Sequence, residues 1–181
     1  MTVHIFLSTL LSIVTISAGW VVVTTLRLGV PPMPSSRKLR NAVVAALSDL
    51  PPESRVVDLG AGWGGLVRRI TRKRPDLVVE GLEHSPVPFV VARLRLGRRA
   101  RIRFRDFRTC IPQDDTCYVA YLSPGGMRGV RTLFEQRLPR RVRLVSVVFA
   151  VRGWTPERSI RVPDMHRNSV FVYEVLPDRT S

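Results

Sequence analysis

The stretch Asp58-Leu59-Gly60-Ala61-Gly62-Trp63-Gly64-Gly65 decides how this 181-residue chain is read. It closes the short apolar run Arg55-Val56-Val57-Asp58-Leu59, the kind of run that forms a buried parallel strand. An amphipathic helix follows at about 64 to 73. Glycines are needed between strand and helix because the turn is tight and a ligand there must approach the backbone closely. The same alternation continues outward. Residues 76 to 82 read as a second strand, and Ser85-Pro86 as the cap and first turn of a third helix ending near Gly97. Strands follow at about 101 to 105, 117 to 122, 142 to 151, 158 to 162 and 169 to 175, with a helix between Gly126 and Leu138. Upstream, Ser35 or Ser36 can cap a helix running to about Ser48, with Leu39, Val43, Val44 and Leu47 on one face. Alternating strands and helices with two closing strands predict a doubly wound, Rossmann-like α/β sheet with an antiparallel edge.

The glycines admit two ligand readings. As G-x-G-x-x-G, residues 60, 62 and 65 fit a nicotinamide or flavin dinucleotide; as D-x-G-x-G-x-G, residues 58, 60, 62 and 64 fit S-adenosylmethionine. Two later acids bear on the choice. Glu83 ends the second strand, where a carboxylate can accept from both ribose hydroxyls, a role common to both ligands. Asp106 ends the third strand in Arg105-Asp106-Phe107, where an acid can accept from an adenine amino group while an apolar neighbour covers the ring. That third position favours S-adenosylmethionine. No catalytic Tyr/Lys or Cys constellation of an oxidoreductase follows. Cys110 and Cys117 match neither a zinc knuckle nor a redox pair, His4, His84 and His166 are scattered, and no metal is expected.

From Ile5 to Leu26 the chain runs 22 residues without a charge, about 33 Å as a helix and enough to cross a bilayer. A cleaved signal peptide is the main competitor, but it should open on Lys or Arg, and the chain opens Met1-Thr2-Val3-His4. Positive charge lies on the far side, at Arg27, Arg37, Lys38 and Arg40, which puts the N-terminus outside and the domain on the cytoplasmic or matrix-like side of a single span. The expected organisation is therefore an anchor over 1–29, a proline-rich linker over 30–36 that cannot continue a helix, and an α/β domain over 37–181. The formal charge is +15, with Lys38 and Lys73 the only lysines among 29 basic residues. Such a surface is drawn to anionic partners, and lipid headgroups are the expected ones. Nucleic acid is disfavoured, because aromatic residues are not interleaved with Arg101, Arg103 and Arg105 as stacking platforms require.

The chain resembles the small seven-strand, class I protein-lysine methyltransferases of archaea, bacteria and mitochondria. The resemblance covers about residues 30 to 176. It rests on the proline-rich lead-in Val30 to Ser36, the Asp58 to Gly64 motif, Glu83, Asp106, and the tail Val145 to Pro156 with its Arg152-Gly153-Trp154-Thr155-Pro156. It implies a sheet ordered 3-2-1-4-5-7-6 with the last strand antiparallel, S-adenosylmethionine as cofactor, and methyl transfer to lysine side chains of proteins. Mitochondrial members also carry an N-terminal hydrophobic segment and modify membrane-complex subunits. Two places depart from the family pattern: Trp63 stands where an acid is usual, and Tyr121-Leu122-Ser123-Pro124-Gly125-Gly126 differs from the acceptor-site motif. On this reading Asp58, Gly60, Gly62, Gly64, Glu83 and Asp106 hold the cofactor. Tyr121, Ser123 and Trp154 are candidates for lining an acceptor pocket, with a buried turn anchor the competing role for Trp154. A lipid, quinone or other small amphiphile as acceptor would explain the anchor equally well, and a basic membrane-binding protein with a decayed cofactor site is the non-enzymatic alternative.

Overall fold

Local chemistry sets most element boundaries in the computed structural model, which describes residues 5–16, 19, 36–137, 141–164 and 167–175. The Ser36 hydroxyl accepts from the Leu39 N–H at 3.1 Å and starts helix α1, Arg37–Ala46, which buries Leu39, Ala42, Val43 and Ala46 at helical spacing. There follow β1 Arg55–Asp58, α2 Gly65–Lys73, β2 Val78–Glu83, α3 Pro86–Leu96, β3 Arg101–Phe104, β4 Thr116–Ala120, α4 Pro124–Gln136, β5 Val142–Val147, β6 Arg158–Arg161 and β7 Ser169–Val175.

The seven strands form one sheet in the order β3-β2-β1-β4-β5-β7-β6. β3, β2, β1, β4 and β5 pair in parallel, and β7 runs antiparallel to both β5 and β6. The last strand of the chain, β7, is thus the antiparallel one and lies one place in from the edge, the order that the resemblance implied. β6 can reach the outside because the chain crosses over before β7 returns beside β5.

Alternation along the strands sends side chains to two cores. Val56, Val79, Ile102, Val119 and Val145 face α1, α2 and α3, whereas Val57, Leu82, Tyr118, Leu144 and Tyr173 face α4. On the α4 side four rings, Tyr118, Phe134, Trp154 and Tyr173, meet in a chain with centroids 5.2 to 6.5 Å apart. Residues 105–115 connect β3 to β4 with a single 3₁₀ turn, Phe107–Thr109, in place of a helix. Part of that face is polar: Glu80, 8% exposed, takes both Arg55 and Arg103 as ion-pair partners.

Several boundaries differ from expectation, among them the start of β2 at Val78 and not at 76. β5 ends at Val147, short of 151, because Val148 turns into the left-handed region at φ 73°, which a β-branched residue rarely adopts. β4 ends at Ala120, and α4 begins at Pro124, earlier than Gly126, since the Ser123 hydroxyl accepts from the Gly126 N–H and Pro124 fits the first turn. Ser85 does precede α3, but its side chain makes no cap bond.

The chain divides into Met1–Met33 and Pro34–Ser181. In the first unit residues 5–16 are helical and every one is exposed. Hydroxyls of Ser8, Thr9, Ser12 and Thr15 donate to carbonyls three or four residues earlier, so these polar groups are satisfied within the helix. Among the described residues no helix is long and apolar enough to cross a membrane. Residues 17, 18 and 20–26 of the expected span, and 30–35 of the expected linker, lie outside the described residues.

Candidate cofactor site

The turn after β1 is strapped to both neighbouring strands. The Leu59 N–H donates to the Val119 carbonyl and the Ala61 N–H to the Leu82 carbonyl, each at 2.9 Å. Asp58 beneath it is 1% exposed, and one carboxylate oxygen accepts from the Gly60 N–H at 3.2 Å. Burial pushes the Asp58 carboxyl up to about 7; the Gly60 N–H opposes that rise and the charge of Glu83 adds to it.

The glycines of the turn serve different ends. Gly62 has φ +51°, and a Cβ built there meets nothing within 4 Å. This is open space against bare backbone, as a bound ligand needs. A Cβ at Gly60 would come within 2.6 Å of a Leu122 methyl. Gly64, at φ +76°, faces helix α3, where a Cβ would meet Leu96 at 3.0 Å and Ala92 at 3.1 Å. Its N–H is engaged by the Ala61 carbonyl. Gly64 therefore seats α2 against α3, Gly60 makes room for Leu122, and Gly62 is the open, ligand-facing position. Trp63 is half-buried, and its carbonyl accepts from Arg95 at 3.4 Å.

Glu83 joins this turn to the next. It is 8% exposed; one oxygen accepts from the Gly62 N–H at 2.8 Å and the other from the Ser85 N–H at 2.7 Å. Each carboxylate oxygen can accept twice, so capacity for ribose hydroxyls remains. Asp106 is more heavily committed. It caps the 3₁₀ turn through the Arg108 N–H at 2.9 Å and pairs with the Arg108 guanidinium at 3.2 Å. Phe107 is buried in the α4-side core with Arg108 stacked over it, not standing open as a ring cover.

The three pocket candidates do not converge. Ser123 is the α4 cap, and Tyr121 packs half-buried against the opposite core from Trp154. Burial and the Asp164 charge raise the Tyr121 phenol above its ordinary value. Trp154 sits among Phe134 and Tyr173 on the α4 flank, which is the turn-anchor role. Sequence reasoning missed Leu122, which lies between two named candidates and reaches over Gly60; the signal was its place directly after β4, the strand beside β1. It also missed an arginine flank. Arg40 reaches the Gly65 carbonyl at 3.4 Å, and burial together with Arg69, Arg37 and Arg95 lowers its pKa. That flank favours an anionic group beside the turn.

No family model matches the chain. Over 115 residues it is 30% identical to trans-aconitate 2-methyltransferase of Variovorax paradoxus (strain S110), covering 64% of this chain and 40% of that protein. The chain thus spans less than half the length of the curated relative it matches. An RNA methyltransferase from Salinibacter ruber, solved with S-adenosyl-L-homocysteine, superposes with a TM-score of 0.69 at 21% identity, over 81% of this chain and 95% of that one. A putative methyltransferase from Escherichia coli gives 0.61 at 15% identity over 81% and 88%. An S-adenosylmethionine-dependent O-methyltransferase from Thermotoga maritima gives 0.58 at 14% over 81% and 68%. With strand order, turn and likeness in agreement, the chain has the seven-strand class I methyltransferase fold.

Proposed function

We propose that the chain is an S-adenosylmethionine-dependent methyltransferase that works at a membrane and methylates lysine side chains of membrane-associated proteins. The observation that carries the cofactor reading is the open backbone at Gly62, held by Glu83 above the buried Asp58. A bulky residue would fill that space, and the donors and acceptors around it suit a ribose and a charged amino-acid end. Gly62 would admit the cofactor against the backbone, Glu83 would accept from its ribose, and the Arg40 flank would face its carboxylate. When bound, the cofactor supplies a methyl group already activated on a sulfonium. The protein's task is alignment of acceptor nitrogen, methyl carbon and sulfur, and exclusion of water from that line. An acceptor lysine must arrive neutral, and a site of low polarity depresses its pKa. Leu122, beside Gly60, contributes apolar surface at that point.

The lysine reading draws on the Arg152 to Pro156 tail and its likeness to the lysine methyltransferases. The membrane reading draws on residues 5–16, an exposed helix rich in Leu and Ile, and on the uncharged run continuing to Leu26. Arg27, Arg37, Lys38 and Arg40 would hold the domain on the cytoplasmic or matrix-like side. An amphiphilic small molecule is the second reading, favoured by the same exposed apolar helix. The test is to incubate membranes from a deletion strain with radiolabelled cofactor and the full chain, then resolve protein, lipid and RNA fractions. Label on lysine in the protein fraction is expected. Label confined to lipid or RNA overturns the acceptor and keeps the methyltransferase; measured cofactor binding with no label anywhere favours a decayed enzyme.

A further inference from the structure

Among the described residues strand β3 pairs with β2 on one side only, and its other side is a sheet edge. The ring of Phe104 on β3 meets Phe89 of α3 at 5.3 Å, yet Phe104 remains 57% exposed. On α3, Val90 and Leu94 stand one turn apart on a shared side and are 51% and 78% exposed. The inward side of α3 is already filled by Ala92 and Leu96, which are buried. α3 is therefore apolar on two sides, and only one of them has a core to face.

This outward ridge lies among arginines. Arg93 stacks over Phe89 at 5.9 Å, and Arg95, Arg98, Arg99, Arg101 and Arg105 are all exposed. Residues 86–105 contain no acid. Exposed aliphatic side chains on an edge rich in exposed arginines match one environment on both counts. At the boundary of a bilayer, apolar side chains enter the acyl region while arginine stems lie flat and their heads bind lipid phosphates.

We infer that the α3–β3 edge docks on an anionic lipid surface, with Val90, Leu94 and Phe104 entering it and the surrounding arginines meeting its phosphates. Single-stranded nucleic acid would use the arginines and the Phe104 ring but leave Val90 and Leu94 in water, because aliphatic groups offer no stacking face. A second copy of this edge would set like charges against each other. The inference depends neither on methyl transfer nor on residues 5–16, since it concerns a surface of the α/β domain itself.

Hydroxyl-radical footprinting of the full chain tests it by reading side-chain accessibility directly. With vesicles containing about 30 mol % phosphatidylserine, oxidation of Leu94 and Phe104 should fall about fivefold, and high salt should restore it. Neutral phosphatidylcholine vesicles should leave both residues reactive, even if the chain is held to them by its N-terminal segment. In an Arg98→Glu/Arg99→Glu variant, whose substitutions are exposed, protection should vanish while the thermal midpoint holds. Absence of protection on anionic vesicles overturns the inference, as does equal protection on neutral ones or in the variant. Protection produced by single-stranded RNA but not by vesicles, or by raising protein concentration alone, assigns the face to another occupant and also overturns it.

Discussion

Two turns leave the same end of the sheet from neighbouring parallel strands, residues 58–65 after β1 and 121–126 after β4, and they are built in opposite ways. The first keeps side chains out: a Cβ at Gly62 would meet nothing within 4 Å. The second is filled. Leu122 lies 2.6 Å from where a Cβ on Gly60 would stand and 2.8 Å from one on Gly126, and the Ser123 hydroxyl is occupied as a helix cap. Glycine therefore answers two needs at this end of the sheet. At Gly62 it leaves room for a ligand, whereas at Gly60 and Gly126 it leaves room for one leucine.

The strongest way to break this contrast is through pH, because the open turn rests on a buried acid. Asp58 is held up to about 7 against an ordinary 3.8, so between those values the folded chain keeps a proton that the unfolded chain has released. Stability from this group is full below the lower value and falls as pH rises through the window, by on the order of 4 kcal/mol. Urea unfolding at pH 4 and pH 8 should show that fall, and Asp58→Asn should flatten it. A wild type with no such limb would mean the turn is not seated on a protonated acid.

Next in size are paired glycine substitutions. Gly62→Val places a branched side chain in the ligand space and forces it to φ +51°, so affinity for S-adenosylmethionine should fall about 100-fold, near 3 kcal/mol by calorimetry. Gly126→Val should instead cost about 1–3 kcal/mol of stability through its clash with Leu122 and leave the affinity of the folded protein unchanged. If the two substitutions behave alike, the turns do not differ as described.

Glu83→Gln sharpens the picture on the open side. An amide has one acceptor oxygen, so its NH₂ must face either the Gly62 or the Ser85 N–H, a donor against a donor. We expect a loss of about 1–2 kcal/mol in unfolding free energy, together with weaker cofactor binding. Loss of stability with binding intact would assign Glu83 to the loops alone.

The smallest effect belongs to Trp154→Phe. The indole N–H is buried and has no partner among the described residues, and two aromatic rings, Phe134 and Tyr173, flank it. Removing that donor offsets part of the lost packing, so stability should move by less than about 1 kcal/mol and cofactor affinity not at all. A clear change in affinity would return Trp154 to the pocket.

What the sequence disclosed follows from the range of the forces involved. The Ser36 cap, the apolar spacing of α1 and the order of strands and helices are local, and they were readable. Asp58, Gly62 and Glu83 meet because β1 and β2 are neighbours, which the strand–helix alternation already implies. Contacts set by packing between distant segments were not readable. Nothing near Gly64 announces Ala92 and Leu96, and nothing near Gly60 announces Leu122. Ser85 has a residue type suited to capping, yet its bonds come from its backbone, its N–H donating to Glu83 and its carbonyl accepting from Phe89. Asp106 carries the right residue type at a strand end, but Arg108, two residues on, occupies its oxygens. The charge total pointed to anionic partners; only the fold revealed that Val90, Leu94 and Phe104 share the arginine-rich edge.

The connection from β3 to β4, which has a 3₁₀ turn where a helix could lie, bears on how the domain opens. On that flank Arg55 and Arg103, which pair with Glu80, are more exposed than Arg143, which pairs with Glu174 between β5 and β7. Salt screens partly exposed charge pairs and leaves apolar burial almost untouched. Added salt should therefore loosen the β3 flank while the interior around β4, β5 and β7 stays closed. A protease that cuts after arginine would then nick the chain between Arg101 and Arg108 before it reaches the central strands, and do so sooner in high salt. Ionic strength thus becomes a selector of which part of the sheet unfolds first.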